Sequence, residues 1–167
     1  MTSTFVAILM GSDSDLPVMQ ATIDILKSFD ITHEVRVRSA HRTPDAAKAY
    51  VKDAEERGCK VFICAAGLAA HLAGAVAGMT TRPVIGVPID CGPLQGHDAL
   101  LSTVMMPGGI PVATVAIGKA GAKNAGYLAA QILGIADQSM ADKVKAERLA
   151  NAAALLAKDD AMQAKLS

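Results

Sequence analysis

The chain has 167 residues, long enough for one domain with a real core; 51% are hydrophobic, yet aromatics make up 3% and tryptophan is absent. Sixteen basic and sixteen acidic side chains cancel to a formal charge of zero, which argues against a general binder of nucleic acid or anionic membrane. Small aliphatic residues, alanine above all, must therefore fill the interior. Cys59, Cys64 and Cys91 lack any CxxC spacing and read as buried thiols of a reducing compartment rather than a zinc or disulfide framework. No charged and apolar leader opens the sequence, and no apolar run reaches membrane-spanning length, so a soluble, cytoplasmic protein is expected.

In chain order, "FVAILM" (Phe5–Met10) is a continuous apolar run, as suits a strand buried on both faces. "GSDSD" follows, then a helical stretch with Pro17 near its start and Val18, Ile23, Leu26 and Phe29 at apolar positions. "HEVRV" (His33–Val37) alternates, which suits a strand at or near a sheet edge. Thr43 is the expected N-cap of a second helix, with Pro44 at its first position and Gly58 at its end. "KVFICAA" reads as a third strand, followed by a helix around "LAAHLAGAVAG". "PVIGVPI" is a fourth, leading into a Gly/Pro-rich loop (Asp90 to Gly96) and a short helix near Asp98 to Met106. "VATVAI" is the fifth strand and "AGAKNAGYLAAQIL" the helix after it.

Strands alternating with helices imply parallel β-α-β units joined by right-handed crossovers. The expected fold is therefore α/β: a three-layer α/β/α, doubly wound, flavodoxin-like sheet of five parallel strands in the order 2-1-3-4-5. The alternating second strand fits an edge, and the apolar first and third fit the centre. One domain over 1–167 is expected, with a helical tail from about 137 to 167. In that tail Ala146, Leu149, Ala153 and Leu156 form one stripe, and Met140, Val144 and Leu155 a second, narrower one. A helix apolar on two sides is expected to be covered on two sides, the second by a neighbouring subunit.

Ligands of an open parallel sheet sit beyond the carboxyl ends of the strands where the strand order reverses, here between strands 1 and 3. The loops "GSDSD", "SAHRTP" and "AAGLAAH" fall on that edge. A single glycine in the first excludes both the GxGxxG fingerprint and the P-loop. Ser12 and Ser14 can offer hydroxyls to an anion beside the amides of the following helix, and Asp13, Ser14 and Asp15 can equally serve as caps. Asp15 suits sugar hydroxyls better than phosphate. Arg42 is the natural phosphate partner, because its planar fork meets two oxygens and stays charged; a surface ion pair is the plainer alternative. His41 stands beside it, and histidine is the residue suited to proton transfer near neutral pH. His71 reads either as a packing or capping residue or as an acid, His97 lies on the same edge with fewer polar neighbours, and His33 opens a strand on the opposite edge. The histidines form no i, i+4 pair and no His-Cys cluster, so no metal is expected. The scarcity of rings near the edge speaks against a flavin. These residues imply a phosphorylated, sugar-bearing small molecule and proton-transfer chemistry, and stop short of a substrate.

"MGSDSD", "SAHRTP", "AAHLAG" and "MPGGIPVATVAIGKAGAKNAGYLAAQIL", in this order, closely resemble the phosphoribosylaminoimidazole carboxylase catalytic-subunit family of purine biosynthesis, over about Val6 to Leu133. "SAHRTP" with "AAHL" is similar to the class I branch, the N5-carboxyaminoimidazole ribonucleotide mutases; class II direct carboxylases typically carry lysine after that histidine and lack the second block. The resemblance implies transfer of a carboxylate from N5 to C4 of the aminoimidazole ring without metal, ATP or biotin. By matching position it makes His41 the general acid/base, gives the 5′-phosphate to Ser12, Ser39 and Arg42, and gives the ribose hydroxyls to Asp15. Ser14, Ala66, Gly67 and His71 complete the expected substrate-binding set. It further implies a homo-octamer in which the C-terminal helix reaches a neighbour, and a transient encounter with the synthetase that makes the N5-carboxylated ribonucleotide. Direct carboxylation of aminoimidazole ribonucleotide on the same scaffold is the alternative. A phosphoacceptor receiver module would need an aspartate where the third strand ends in "CAAG". The apolar loop "AAGLAAHLAG" departs from the commoner family pattern "GGAAHLPG", with Leu68 at a glycine and Ala73 at a proline.

Overall fold

β1 (Phe5–Met10) is buried at every position, and its alternating side chains divide the core into two layers. Val6, Ile8 and Met10 face a cluster formed with α1 (Leu16–Ser28) and α5 (Gly118–Gly134). Phe5, Ala7 and Leu9 face a second cluster formed with α2 (Pro44–Arg57) and α3 (Leu72–Ala77). With β2 (His33–Val37), β3 (Cys59–Ala66), β4 (Val84–Pro88) and β5 (Ala113–Thr114), β1 makes an all-parallel sheet in the expected order β2-β1-β3-β4-β5. α4 (His97–Val104) and α6 (Gln138–Leu166) complete the elements of this computed structural model, which describes residues 4–166. Met1–Ser3 and Ser167, the ends of the expected 1–167 domain, lie outside the described residues. No described helix is long and apolar enough to cross a membrane.

Two elements are shorter than the sequence suggests. The fifth strand is confined to Ala113 and Thr114, and its partner supplies the reason. Ile89 N donates to Ala66 O on β3, while Gly86 O accepts from Val115 N on the other side. By the same alternation the N–H of residue 88 would point at β5, but Pro88 has none, and the ladder stops there. The helix expected around "LAAHLAGAVAG" begins only at Leu72, because Leu68 is in the left-handed conformation (φ 55°), which no α-helix continues.

Small residues bring α5 against α1. A Cβ at Gly126 would lie 2.8 Å from Ile25 Cβ, so glycine sets the spacing of the two helices. Beside it the fully buried Thr22 donates from Oγ1 to Ala122 O at 2.6 Å, the bond that satisfies this hydroxyl in the core.

α6 docks through its first two turns and then leaves the body. Met140 and Val144 pack on the α1/α5 cluster. Glu147 Oε1 accepts from Tyr127 OH at 3.0 Å, and Lys143 pairs with Asp30 at 2.8 Å. Residues 148–166 are all exposed, Leu149, Leu155, Leu156 and Met162 among them, over a helical length of about 28 Å. The narrower stripe is thus the one that meets the domain, through Met140 and Val144, and the broader one is left open.

Thr22→Val keeps the shape and removes the buried hydroxyl bond. It is expected to lower the unfolding free energy by about 1–2 kcal/mol, read as a lower urea midpoint; an unmoved midpoint would show that the bond contributes nothing.

Candidate active site

Three loops meet beyond the carboxyl ends of β1, β2 and β3. In the first, Ser12 caps the short 3-10 turn Asp13–Asp15: its Oγ accepts from Ser14 N at 3.3 Å and from Ser14 Oγ at 2.8 Å. Asp15 Oδ2 reaches back to accept from Ser12 N at 3.1 Å, closing a capping box. Capping and cavity lining are therefore not alternatives here, since the same side chains do both. Asp15 is buried. Burial pushes its pKa above the ordinary carboxylate value, and bonds from the Ser12 and Gly11 amides pull it partly back.

The second loop is closed upon itself. Ser39 N donates to Thr43 Oγ1 at 3.0 Å, and that hydroxyl donates to Ser39 O at 3.1 Å. Thr43 stands at the expected N-cap position, but its side chain makes no capping bond and ties the turn instead. The buried Ser39 accepts at Oγ from Arg42 N at 3.1 Å. His41 and Arg42 are thereby presented at the tip. Arg42 crosses to the first loop, donating from Nη2 to Gly11 O at 2.9 Å.

The third loop, after β3, is held from outside by α4. Ala70 N donates to Ser102 Oγ at 2.9 Å, while the buried Thr103 hydroxyl donates to Ala99 O within α4 at 2.7 Å and lies 3.4 Å from Ala70 O. The tether places His71 Nδ1 2.8 Å from His41 Nε2, with the rings edge-on at 87°. One of these nitrogens carries the proton and the other accepts it, so the pair contains an acid and a base in direct contact.

These loops enclose a cavity of about 440 Å³. Its lining includes every residue proposed from the sequence: Ser12, Ser14, Asp15, Ser39, His41, Arg42, Ala66, Gly67 and His71. His97 lies outside that lining, with Nδ1 3.0 Å from Leu94 O, and His33 sits at the opposite edge, at the start of β2. Among the described residues no three His, Cys, Asp or Glu side chains gather as a metal-ligand group. The cavity also takes Leu68, from the apolar loop the sequence places on this edge, and, from the loop after β4, Cys91; only Cys91 was not assigned to the site by sequence reasoning. The signal for Cys91 was its position one loop after a central strand, on the edge already chosen. Ser102 has no comparable local signal, because its tether spans 32 residues.

Residues 5–154 match the AIR carboxylase family. An N5-carboxyaminoimidazole ribonucleotide mutase of Thermotoga maritima is 59% identical over 140 residues, covering 84% of this chain and 81% of that protein. One from Bacillus subtilis is 54% identical over 143 residues, covering 86% and 88%. Among solved structures, that of Treponema denticola PurE superposes with a TM-score of 0.85 at 33% identity, covering 95% of this chain and 98% of that one.

The buried Asp15 generates a pH-dependent expectation. A carboxyl whose folded-state pKa stands above its unfolded value is penalised on ionising, so the penalty is absent below the ordinary carboxylate range and complete above the raised value. Asp15→Asn keeps an acceptor for Ser12 N and removes the charge. It should raise the melting temperature near neutral pH, and the gain should vanish as the pH falls into and below the carboxylate range. Thermal denaturation across that range checks this, and a gain that persists in acid would show burial of the charge is not its source.

Proposed function

The chain belongs to the AIR carboxylase family, and from that premise we infer that it is an N5-carboxyaminoimidazole ribonucleotide mutase, an isomerase of purine biosynthesis that moves a carboxylate from N5 to C4 of the aminoimidazole ring. What supports a reading of roles is one observation: the cavity at the strand-order reversal is lined by all the residues the chemistry needs.

Arg42 takes the 5′-phosphate, with the Ser12 and Ser39 hydroxyls beside it and Ser14 within reach. Its guanidinium already reaches into the first loop through Gly11 O, so a phosphate bound there would meet a fork held between two loops. Asp15 accepts from the ribose hydroxyls, which replace the solvent its carboxylate lacks. Ala66 and Gly67 form the wall along the ring, and His41 moves protons.

The reaction balances around one proton entering and one leaving. The carbamate N–C bond breaks, its electron pair returns to nitrogen, and nitrogen takes a proton. C4 then gives an electron pair to the freed carbon dioxide, and the C4 proton departs. His41 serves both transfers, with His71 2.8 Å away to receive or return a proton between them. Carbon dioxide must not reach water in the interval, and the Ala66, Gly67, Ala69 and Leu72 side of the cavity offers it no polar side chain.

The expected assembly is a homo-octamer in the cytoplasm, supplied by a transient encounter with the synthetase that makes the carbamate. The open stripe of α6 supports the assembly: Leu149 and Leu156 are exposed on a helix that extends beyond the body. The broader stripe is free along its length, and of the narrower one Leu155 is free with it.

Two experiments test the reading. The purified protein should convert the carbamate at low bicarbonate with strong chelator present, and His41→Asn should cut turnover by at least ~10²-fold while substrate still binds. Use of only the unmodified ribonucleotide, at a rate rising with carbon dioxide, would make it a direct carboxylase, and near-normal turnover of His41→Asn would remove His41 from the proton transfers.

Removal of residues 149–167 spares Met140, Val144 and Glu147 and is expected to lower the assembly mass in light scattering. An unchanged octamer would rule the tail out of the interface.

A further inference from the structure

Ala70 is buried in a loop, outside any strand or helix, so its N–H needs an acceptor from elsewhere in the fold. Ser102 Oγ on α4 is that acceptor, at 2.9 Å. Ser102 has one hydroxyl proton, and the nearest carbonyl is Asp98 O, one helical turn back at 2.7 Å. With that proton held inside α4, the oxygen faces the loop as an acceptor only. The neighbouring Thr103 gives its proton to Ala99 O at 2.7 Å, so the hold on the loop falls to Ser102. The chain turns at Leu68 (φ 55°) and enters α3 at Leu72. Only Ala69, Ala70 and His71 lie between, so a displacement of Ala70 passes directly to His71. His71 meets His41 through a single contact of 2.8 Å, and a hydrogen bond of this kind is gone by about 3.6 Å.

We propose that Ser102 is a positioning residue for the reaction: through Ala70 it sets the place of His71, and with it the proton transfer between His71 and His41. This rests on the reading of those two histidines as the site's acid and base given above. Ser102 is not part of the cavity lining, so it acts through another residue and not by touching substrate. Without its oxygen the Ala70 N–H becomes a buried donor with no acceptor, and the loop must shift to satisfy it. Ser12, Asp15, Ser39 and Arg42 stand on the two other loops, tied there by bonds of their own. The shift therefore leaves the phosphate and ribose contacts in place and falls on proton transfer.

The test is a double-mutant cycle on turnover per folded enzyme. Ser102→Ala should lower kcat on the order of tenfold, with KM changed by less than about twofold. Ser102→Thr keeps a hydroxyl at the same helix position and should restore turnover. In a His71→Asn background, itself slower than wild type, Ser102→Ala should change kcat by less than about twofold, because the group it positions is gone. A merely structural role would lower turnover by the same factor in both backgrounds, and that result overturns the proposal. So does an undiminished kcat in Ser102→Ala, or a loss confined to KM. Where Ser102→Ala fails to fold, Ser102→Cys, with a weaker acceptor at the same position, carries the same cycle. The cycle is a set of ratios, so it decides the role of Ser102 on whichever ribonucleotide the wild-type enzyme converts. Failure of the underlying reading looks different: His71→Asn would turn over at the wild-type rate, and the proposal would fall with it.

Discussion

The reversal of strand order at β1 is the constraint on which the rest of the molecule depends. β1 is flanked by β2 on one side and β3 on the other, so right-handed crossovers must carry α1 and α2 onto opposite faces of the sheet. That divergence leaves a crevice above the carboxyl end of β1 that no side chain of the core can fill. The two hydrophobic clusters fix the strand from both faces, and the register β1–β3 fixes the height at which Gly11 emerges, its N–H bonded to Ala65 O at 3.0 Å. Everything polar in the site is hung on loops whose roots are set by these buried strands.

The polar groups of the site are engaged with one another before any ligand arrives. Ser12 holds Ser14 and is held by Asp15; Arg42 holds Gly11 O; His41 holds His71. Each such bond contributes a net of only about 0.5–1.5 kcal/mol. A charged phosphate offering Arg42 two oxygens exceeds that readily, so the local bonds can be exchanged for ligand bonds without dismantling the loops. Asp15 differs from the others, because the fold has buried its carboxyl and raised its pKa. Ionising it therefore costs the fold stability.

The strand order, the edge carrying the site and its polar residues were legible in the sequence, because each follows from a local pattern. "FVAILM" announces a doubly covered strand, "HEVRV" an edge, and the loops that follow land at the carboxyl ends by topology alone. What was not legible depends on register between distant segments. Pro88 ends the β5 ladder only because its missing N–H faces that side. Thr43 looked like a cap and turned out to tie Ser39. Both stripes of α6 were visible, but which one docks depends on the direction in which α5 delivers the chain, and the structure chose Met140 and Val144. The contact between His41 and His71 lies across 30 residues of sequence.

That contact belongs to a longer chain of support. From α4, Ser102 holds Ala70; the next residue, His71, meets His41; Arg42, adjacent again, crosses to Gly11. The links alternate between covalent neighbours and hydrogen bonds, so the three site loops are coupled in series rather than each being braced independently on the sheet. A series of weak bonds opens at its weakest member, and of the residues in this series only Ala70 is buried. Motion should therefore begin at the solvent-facing His41–His71 and Arg42–Gly11 links while the roots of the loops stay closed. The same order suits a site that must admit a phosphorylated nucleotide from solvent yet hold a proton path fixed once it is filled. Ligand contacts at Arg42 would draw the second loop toward the first, and the anchored third loop keeps His71 where His41 can return to it.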